Sequence, residues 1–373
     1  MSLLSRNKNY ALNTICPYFT MFPLEFPLKH LKKYKRETSI VLDPFCGRGT
    51  TLYAARKLGI KAYGIDSSPV AVAIARAKLA SCSMEEILDL AQNLVTIEPV
   101  FIPENEFFSL LYEHNTLKKV CALREGLLKL GSENDAAIIL RALCLGALHG
   151  PLPKSPENSS YFSNQMPRTF SSKPDYSIRY WKKHNYTPPK IDVVQCLKKR
   201  LERLTDINSP SISDFKKVVL GNSQNPDSFT KIANDFSIVI TSPPYFGMRT
   251  YVQDQWIRNW FLGGESTVQY NISEQLDHNN EISFTTSLSK VWKNVGQSQS
   301  DTLRMFIRFG IIPSAKTDVK KLILASLEES DINWRLISLR NADTAHKGMR
   351  QATQMKTKSQ AAIEYDFHVL RKT

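Results

Sequence analysis

No two cysteines of this chain form a Cys-x-x-Cys pair; the six, at positions 16, 46, 82, 121, 144 and 196, are scattered through 373 residues. No zinc-ligand spacing appears among the Cys and His residues, so no metal is expected. Reduced, mostly buried thiols in a cytoplasmic protein are the reading that scatter supports. No run of about 18 apolar residues occurs, which excludes a transmembrane helix and leaves no membrane partner to expect. Residues 1–10 are polar and lack the apolar core of a signal peptide. Internal repeats and low-complexity tracts are absent too. Acidic side chains are the minority, 35 against 49 basic, for a net charge of +14 and a pI near 9.4. That imbalance favours a polyanionic partner, most simply nucleic acid.

What is present is organised around Val41-Leu42-Asp43-Pro44-Phe45-Cys46-Gly47-Arg48-Gly49-Thr50. The apolar run Ser39–Leu42 reads as a buried strand, ended by Asp43 and Pro44. A Gly-x-Gly turn follows, where the chain must reverse tightly and let a ligand approach its backbone. Thr50 to Leu58 has helix-forming composition, with Gly59 as its stop. A second strand, Lys61 to Ile65, ends in Asp66, 23 residues after Asp43. Nucleoside-binding βαβ units place a ribose-binding acid at about that distance, roughly 20 residues on. No Lys-Ser/Thr follows the glycines at P-loop spacing, so that phosphate cradle is excluded.

Upstream, residues 16–27 hold three prolines and four aromatics, Phe19 among them, and lead into a helix expected from Leu28 to Lys35. Downstream, Ser68-Pro69 caps a small-residue helix over Val70–Ala80. Residues 83–148 read as helical throughout, with breaks at Pro99, Pro103 and Gly131. Composition then shifts: seven prolines fall between Pro151 and Pro189, amid aromatics interleaved with cations. Arg168, Lys173, Arg179, Trp181 and Lys183 are the nucleic-acid-contact candidates in this stretch, since aromatic faces and interleaved cations suit bases and phosphates. Phe246–Asn280 and the basic group Lys347, Arg350, Lys356 and Lys358 are the rival contact segments. Further strands are expected at Lys217–Leu220, Phe236–Ile240, Leu303–Phe309, Asn333–Leu339 and Ile363–Val369, the last alternating at period two as an antiparallel member would. Seven strands interleaved with helices give an α/β class: a doubly wound, seven-stranded Rossmann-like sheet with a helical, loop-rich insertion. The division expected is one α/β domain of residues 1–82 and 215–373, with residues 83–214 inserted and nucleic-acid contact in 150–190.

The fourth strand runs directly into Ser242-Pro243-Pro244-Tyr245. Together with Asp-Pro-Phe-Cys-Gly-x-Gly-Thr, this motif order resembles the S-adenosylmethionine-dependent amino-methyltransferases of DNA. Serine in the first position is similar to the cytosine 4-amino subgroup. The resemblance implies a Rossmann-like methyltransferase fold and S-adenosylmethionine as cofactor, lined by Phe19, Asp43, Phe45, Gly47, Gly49, Thr50 and Asn222, with Asp66 on the ribose hydroxyls. It implies double-stranded DNA as partner and, in a restriction-modification system, a cognate restriction endonuclease; the oligomeric state stays open. Arg48 departs from the small residue usual in the turn, and Asn222 stands where an acid often contacts the adenine.

The chemistry that Ser242, Pro243, Pro244 and Tyr245 suit is activation of an exocyclic amine. Such an amine is a poor nucleophile because its lone pair is delocalised into the ring. Ser242 and the Pro243 carbonyl are two acceptors that can hold both amine hydrogens and turn the lone pair outward, with Tyr245 expected to stack on the base. Positioning and electrostatics then supply the catalysis, and a base inside a duplex must first be flipped out. Ring-carbon methylation would need a thiolate in a Pro-Cys context, and the chain has only Cys16-Pro17, in reversed order. The alternatives are an adenine 6-amino methyltransferase, an RNA guanine amino-methyltransferase, and a non-catalytic binding protein on the same fold.

Overall fold

A computed structural model of the chain describes residues 8–18, 22–131, 134–151, 159–163, 174–246, 255–268, 276–278, 280–310, 317–342 and 364–372. Its centre is a strand order that reverses. The strands β1 (Ile40–Asp43), β2 (Lys61–Asp66), β3 (Val218–Leu220), β4 (Ile238–Thr241), β5 (Arg304–Gly310), β6 (Trp334–Asn341) and β7 (Glu364–Arg371) lie in the order β3-β2-β1-β4-β5-β7-β6. Pairing is parallel from β3 through β5 and antiparallel between β7 and both of its neighbours. From β1 the chain winds outward through β2 and β3, then returns to β4 on the other side of β1. In open α/β sheets, ligands bind beyond the carboxyl ends of strands at such a reversal.

The central strands β1 and β4 are buried almost throughout by their apolar residues, whereas the edge strand β6 is half-buried to exposed. Val41, Ile238 and Ile240 face one hydrophobic cluster, while Leu42 and Val239 face the other. The first cluster receives α1 (Glu25–Tyr34), α2 (Thr50–Lys57) and α3 (Pro69–Ala77). Onto the same cluster pack α4 (Met84–Val95), α5 (Glu106–Leu111), α6 (His114–Leu130), α7 (Asp135–Ala147), α8 (Pro174–Lys183) and α9 (Val193–Leu201). After the short α10 (Asp227–Thr230), α11 (Trp256–Phe261) joins that side. The second cluster is closed by α12 (Glu281–Gly296) and α13 (Val319–Glu328), through Phe284, Trp292, Leu322 and Ile323. Asp206 ties the far end of the helical stretch to α2 and the N-terminal segment, accepting hydrogen bonds from the Leu12 amide (2.7 Å) and the Tyr53 hydroxyl, with Lys57 at 3.0 Å.

The seven expected strands and the antiparallel last strand are all present, and most boundaries move by one or two residues. The clearest shift is α1, which starts at Glu25 rather than Leu28 and carries Pro27 inside its first turn. Proline is tolerated there because the first amides of a helix have no intrahelical acceptor to lose. Asp318 is the N-cap of α13, accepting from the Lys320 and Lys321 amides. The small-residue helix α3 ends at Ala77, three residues early, where Arg56 takes the Lys78 and Ala80 carbonyls (both 2.8 Å). Among the described residues no helix is long and apolar enough to cross a membrane. The six cysteines are unpaired, and only Cys82 is not buried.

Small residues on α3 let it approach the glycine turn. A Cβ added to Gly49 would stand 2.9 Å from both Cα and Cβ of Ala75, and the backbone there is left-handed, φ +74°. Gly59 is also left-handed (φ +64°), but an added Cβ would meet nothing within 4 Å. Gly49→Ala is therefore expected to lower unfolding free energy by about 2–4 kcal/mol, strain and overpacking together. Gly59→Ala should lose only the strain, about 1–2 kcal/mol. Denaturant titration of both variants checks the difference, and equal losses would contradict the packing account.

Candidate active site

Four strand ends converge at the reversal. Asp43 closes β1, Asp66 closes β2, Asn222 follows β3 by two residues, and Ser242 follows Thr241 at the end of β4. Side-by-side parallel pairing of β1 and β4 brings residues about 198 positions apart to neighbouring strands, roughly 4.8 Å between axes. Thr241 Oγ1 donates to Asp43 Oδ1 at 2.7 Å, and the Phe45 amide donates to the same oxygen at 3.1 Å. The other oxygen, Asp43 Oδ2, is buried and has no hydrogen-bond partner among the described residues. Burial drives the Asp43 pKa up to about 7; its hydrogen bonds pull the other way and nearby Asp66 adds to the rise.

The glycine turn is built as the sequence spacing requires. Gly47 (φ +49°) and Gly49 (φ +74°) are both left-handed. The Gly49 amide donates to the Cys46 carbonyl at 2.7 Å, and the Cys46 amide to the Ile65 carbonyl at 3.0 Å. Asp66, half-buried, holds the turn: Oδ2 accepts from the Gly47 amide (2.8 Å) and Oδ1 from the Ser68 amide (2.9 Å). Burial raises its pKa, and those two amides oppose the rise. A carboxylate has about four lone-pair sites, so two remain for other donors. At Gly47 a Cβ would meet only the Phe45 carbonyl oxygen, 4.0 Å away, so this side of the turn is open. Thr50 is buried at the start of α2 and Phe45 half-buried, its ring edge-on to Trp292.

Other expected contacts take particular forms. Asn222 spends Oδ1 on the amide of Gln224 (3.0 Å) in a local turn. Phe19 lies outside the described residues, but its neighbour Tyr18 stands at the site, its hydroxyl 3.4 Å from Ser68 Oγ. Arg48 is buried beside the wholly buried Lys78, whose Nζ donates to Asn13 Oδ1 at 2.7 Å. Burial, then the Arg48 charge, pushes the Lys78 pKa well below its ordinary value.

In the Ser242-Pro243-Pro244-Tyr245 segment, Ser242 is half-buried and its hydroxyl has no partner among the described residues. The two prolines supply no amide hydrogens to tie up neighbouring carbonyls. Tyr245 differs from the expected stacking platform. Its ring is only 6% exposed, edge-on to Phe309 at 5.7 Å, and its hydroxyl donates to Glu364 Oε1 at 2.6 Å.

The DNA-contact candidates separate. Trp181 is not a surface contact: its ring is wholly buried, 5.3 Å from that of Phe107. It shares the inward face of α8 with Ser177, and burying a large apolar ring there outweighs any use of it at the surface. Phe162, from the same stretch, is likewise buried. Arg179 and Lys183 are exposed on the outward face. Arg168, Lys173 and the rival cations Lys347, Arg350, Lys356 and Lys358 lie outside the described residues. No group of three or more His, Cys, Asp or Glu residues gathers to hold a metal among the described residues.

Sequence reasoning passed over three contributors. Thr241 was legible as a lone hydroxyl at the end of an apolar strand next to Ser242. Glu364 and the Asn13–Lys78 pair carried no sequence signal, because their partners lie 119 and 65 residues away.

Comparison with known proteins bears on the same segment. Residues 2–77 match a family model described as DNA methylase, of the N6/N4 methyltransferase type. An 85-residue stretch is 32% identical to the Type II methyltransferase M.MjaII of Methanocaldococcus jannaschii, covering 23% of this chain and 16% of that relative. Among solved structures, the rRNA methyltransferase AviRa from Streptomyces viridochromogenes aligns over 98% of this chain and 93% of its own at 11% identity and a TM-score of 0.36. A structure described by the conversion of a disulfide bond into a thioacetal group in echinomycin biosynthesis aligns over 92% and 80% at 9% identity and a TM-score of 0.34.

Asp43 makes stability depend on pH. Its folded pKa of about 7 lies above the unfolded value, about 3.9. Between these, the folded chain keeps a proton that the unfolded chain has lost, so this contribution to stability is full below about 3.9 and fades as pH rises through about 7. Asp43→Asn removes the titration. Across that window its stability should fall less steeply than wild type, by a difference on the order of 4 kcal/mol. Denaturant titrations at several pH values measure this, and parallel curves would contradict the assignment.

Proposed function

We propose that this chain, whose residues 2–77 match a family model described as DNA methylase, transfers a methyl group from S-adenosylmethionine to the exocyclic 4-amino group of cytosine in double-stranded DNA. The observation that carries the reading is the adjacency of two strand ends: the glycine turn after Asp43 and the Ser242-Pro243-Pro244-Tyr245 segment, joined by the Thr241–Asp43 hydrogen bond.

The residues at the turn fit the donor. The unpartnered Asp43 Oδ2 suits a cationic group, the remaining lone pairs of Asp66 suit ribose hydroxyls, and the open side of Gly47 admits a ligand against the backbone. Arg48 brings positive charge to the turn for a carboxylate, in place of the small residue usual there. When bound, the donor supplies an electrophilic sulfonium methyl.

The chain's own part is to aim an amine at that methyl. Ser242 Oγ and the Pro243 carbonyl accept the two amine hydrogens, drawing the nitrogen lone pair out of conjugation with the ring. Both acceptors sit on a backbone fixed by two successive prolines, so little reorganisation is needed as charge develops on nitrogen. No covalent intermediate is required, and a paired base reaches the acceptors only by flipping out of the helix. The exposed Arg179 and Lys183 on α8 supply phosphate contacts on the recognition side, within the inserted residues 83–214. A neutral hydroxyl serves cytosine and adenine amines alike; the preference for cytosine rests on the likeness of a serine-led motif to that subgroup. The Type II designation of the Methanocaldococcus jannaschii relative supports a restriction-modification setting with a cognate endonuclease.

Mass spectrometry of nucleosides from DNA incubated with protein and S-adenosylmethionine is expected to reveal 4-methylamino-cytosine. Ser242→Ala should reduce turnover by roughly tenfold or more while leaving cofactor and DNA affinity near wild type, because the lost acceptor acts in the transition state. A 6-methylamino-adenine product would overturn the cytosine assignment. Methylated RNA beside untouched DNA would overturn the DNA assignment as well.

A further inference from the structure

Tyr245 ends the catalytic tetrapeptide, yet its ring offers almost no free face. It is 6% exposed, set edge-on to Phe309 at 5.7 Å and 76°, and its hydroxyl reaches Glu364 Oε1 at 2.6 Å. The two contacts come from neighbouring strands. Phe309 lies on β5, and Glu364 opens β7 opposite Gly310 in the β5–β7 ladder. Two residues along the same ladder, Arg308 Nε and Nη2 donate to the two carboxylate oxygens of Asp366, each at 2.7 Å. That paired contact keeps the ladder in register beside Glu364, so the acceptor waiting for Tyr245 is itself held. Burial, and the Glu364 carboxylate beside it, push the Tyr245 pKa far above its ordinary value, so the phenol stays a donor.

We propose that Glu364 is a positioning residue: through its hydrogen bond to the Tyr245 hydroxyl it clamps the far end of the Ser242–Tyr245 segment, so that the Ser242 hydroxyl and Pro243 carbonyl keep their aim. The near end is fixed by Thr241 on Asp43, and the two prolines between transmit the constraint because they leave few backbone torsions free. Tyr245 acts here through its hydroxyl and not as a stacking surface. This inference rests on the methyl-transfer reading above.

The roles differ in what Tyr245→Phe does. A stacking ring would lose nothing, since phenylalanine stacks as well; a hydroxyl clamp would lose its bond. Tyr245→Phe and Glu364→Ala are each expected to lower kcat by about tenfold, the worth of one hydrogen bond to a charged group, with S-adenosylmethionine affinity unchanged. The double variant should be no worse than either single one, and Glu364→Gln, which still accepts from the phenol, should recover most of the turnover. Thermal unfolding of the same four proteins should display the same non-additivity, a readout independent of catalysis. Wild-type turnover in Tyr245→Phe, or additive losses in the double variant, would overturn the clamp while leaving methyl transfer standing. A wild-type protein inert on both DNA and RNA would instead overturn the methyl-transfer reading, and the positioning role with it.

Discussion

Everything at the candidate site depends on the parallel pairing of β1 with β4. Those strands are distant in sequence, and the chain between them contributes β2, β3 and a bundle of helices before it returns. Once paired, their carboxyl ends set a glycine turn beside a Ser-Pro-Pro-Tyr segment, and side-chain bonds seal the junction. Thr241 donates to Asp43, Thr51 Oγ1 to the Ile240 carbonyl at 3.1 Å, and Ser223 Oγ to the Pro44 carbonyl at 2.5 Å. Each joins one strand end or turn to its neighbour. The site is thus made by topology first, and its polar bonds then fix the aim.

Its electrostatics oppose stability. Asp43 is wholly buried with one oxygen unpartnered among the described residues, and the Asp66 pKa is raised by burial despite two amide donors. An unpaired buried acceptor costs about 1–3 kcal/mol, more when charged. Proteins keep such groups mainly where a ligand completes them. A cationic, hydroxyl-bearing ligand at the turn would satisfy both acids at once, which accounts for a cost that packing alone leaves unexplained.

The sheet was legible because its strands are short apolar runs punctuated by Gly, Pro and Asp, and because glycine spacing encodes a turn that few other residues can make. The placement of Asp43, Gly47, Gly49 and Asp66 around the turn was legible for the same reason: local geometry sets it. Trp181 was not. An aromatic among cations looks alike in sequence whether it stacks on a ligand or fills a core, although its helical spacing from Ser177, with Arg179 and Lys183 off that face, did carry the answer. Tyr245 illustrates the other limit. Its motif marks the position, but its acceptor, Glu364, reaches it only through the β5–β7 ladder, and no local pattern announces that encounter.

Calorimetric titration of S-adenosylmethionine into the folded protein, repeated across pH, tests the central claim most directly. The account predicts one site per chain, with affinity that strengthens as pH rises through about 7 and Asp43 ionises, and a marked loss of affinity and of that pH dependence in Asp43→Asn. Absence of binding to a well-folded wild type, or binding indifferent to both pH and the substitution, would contradict it.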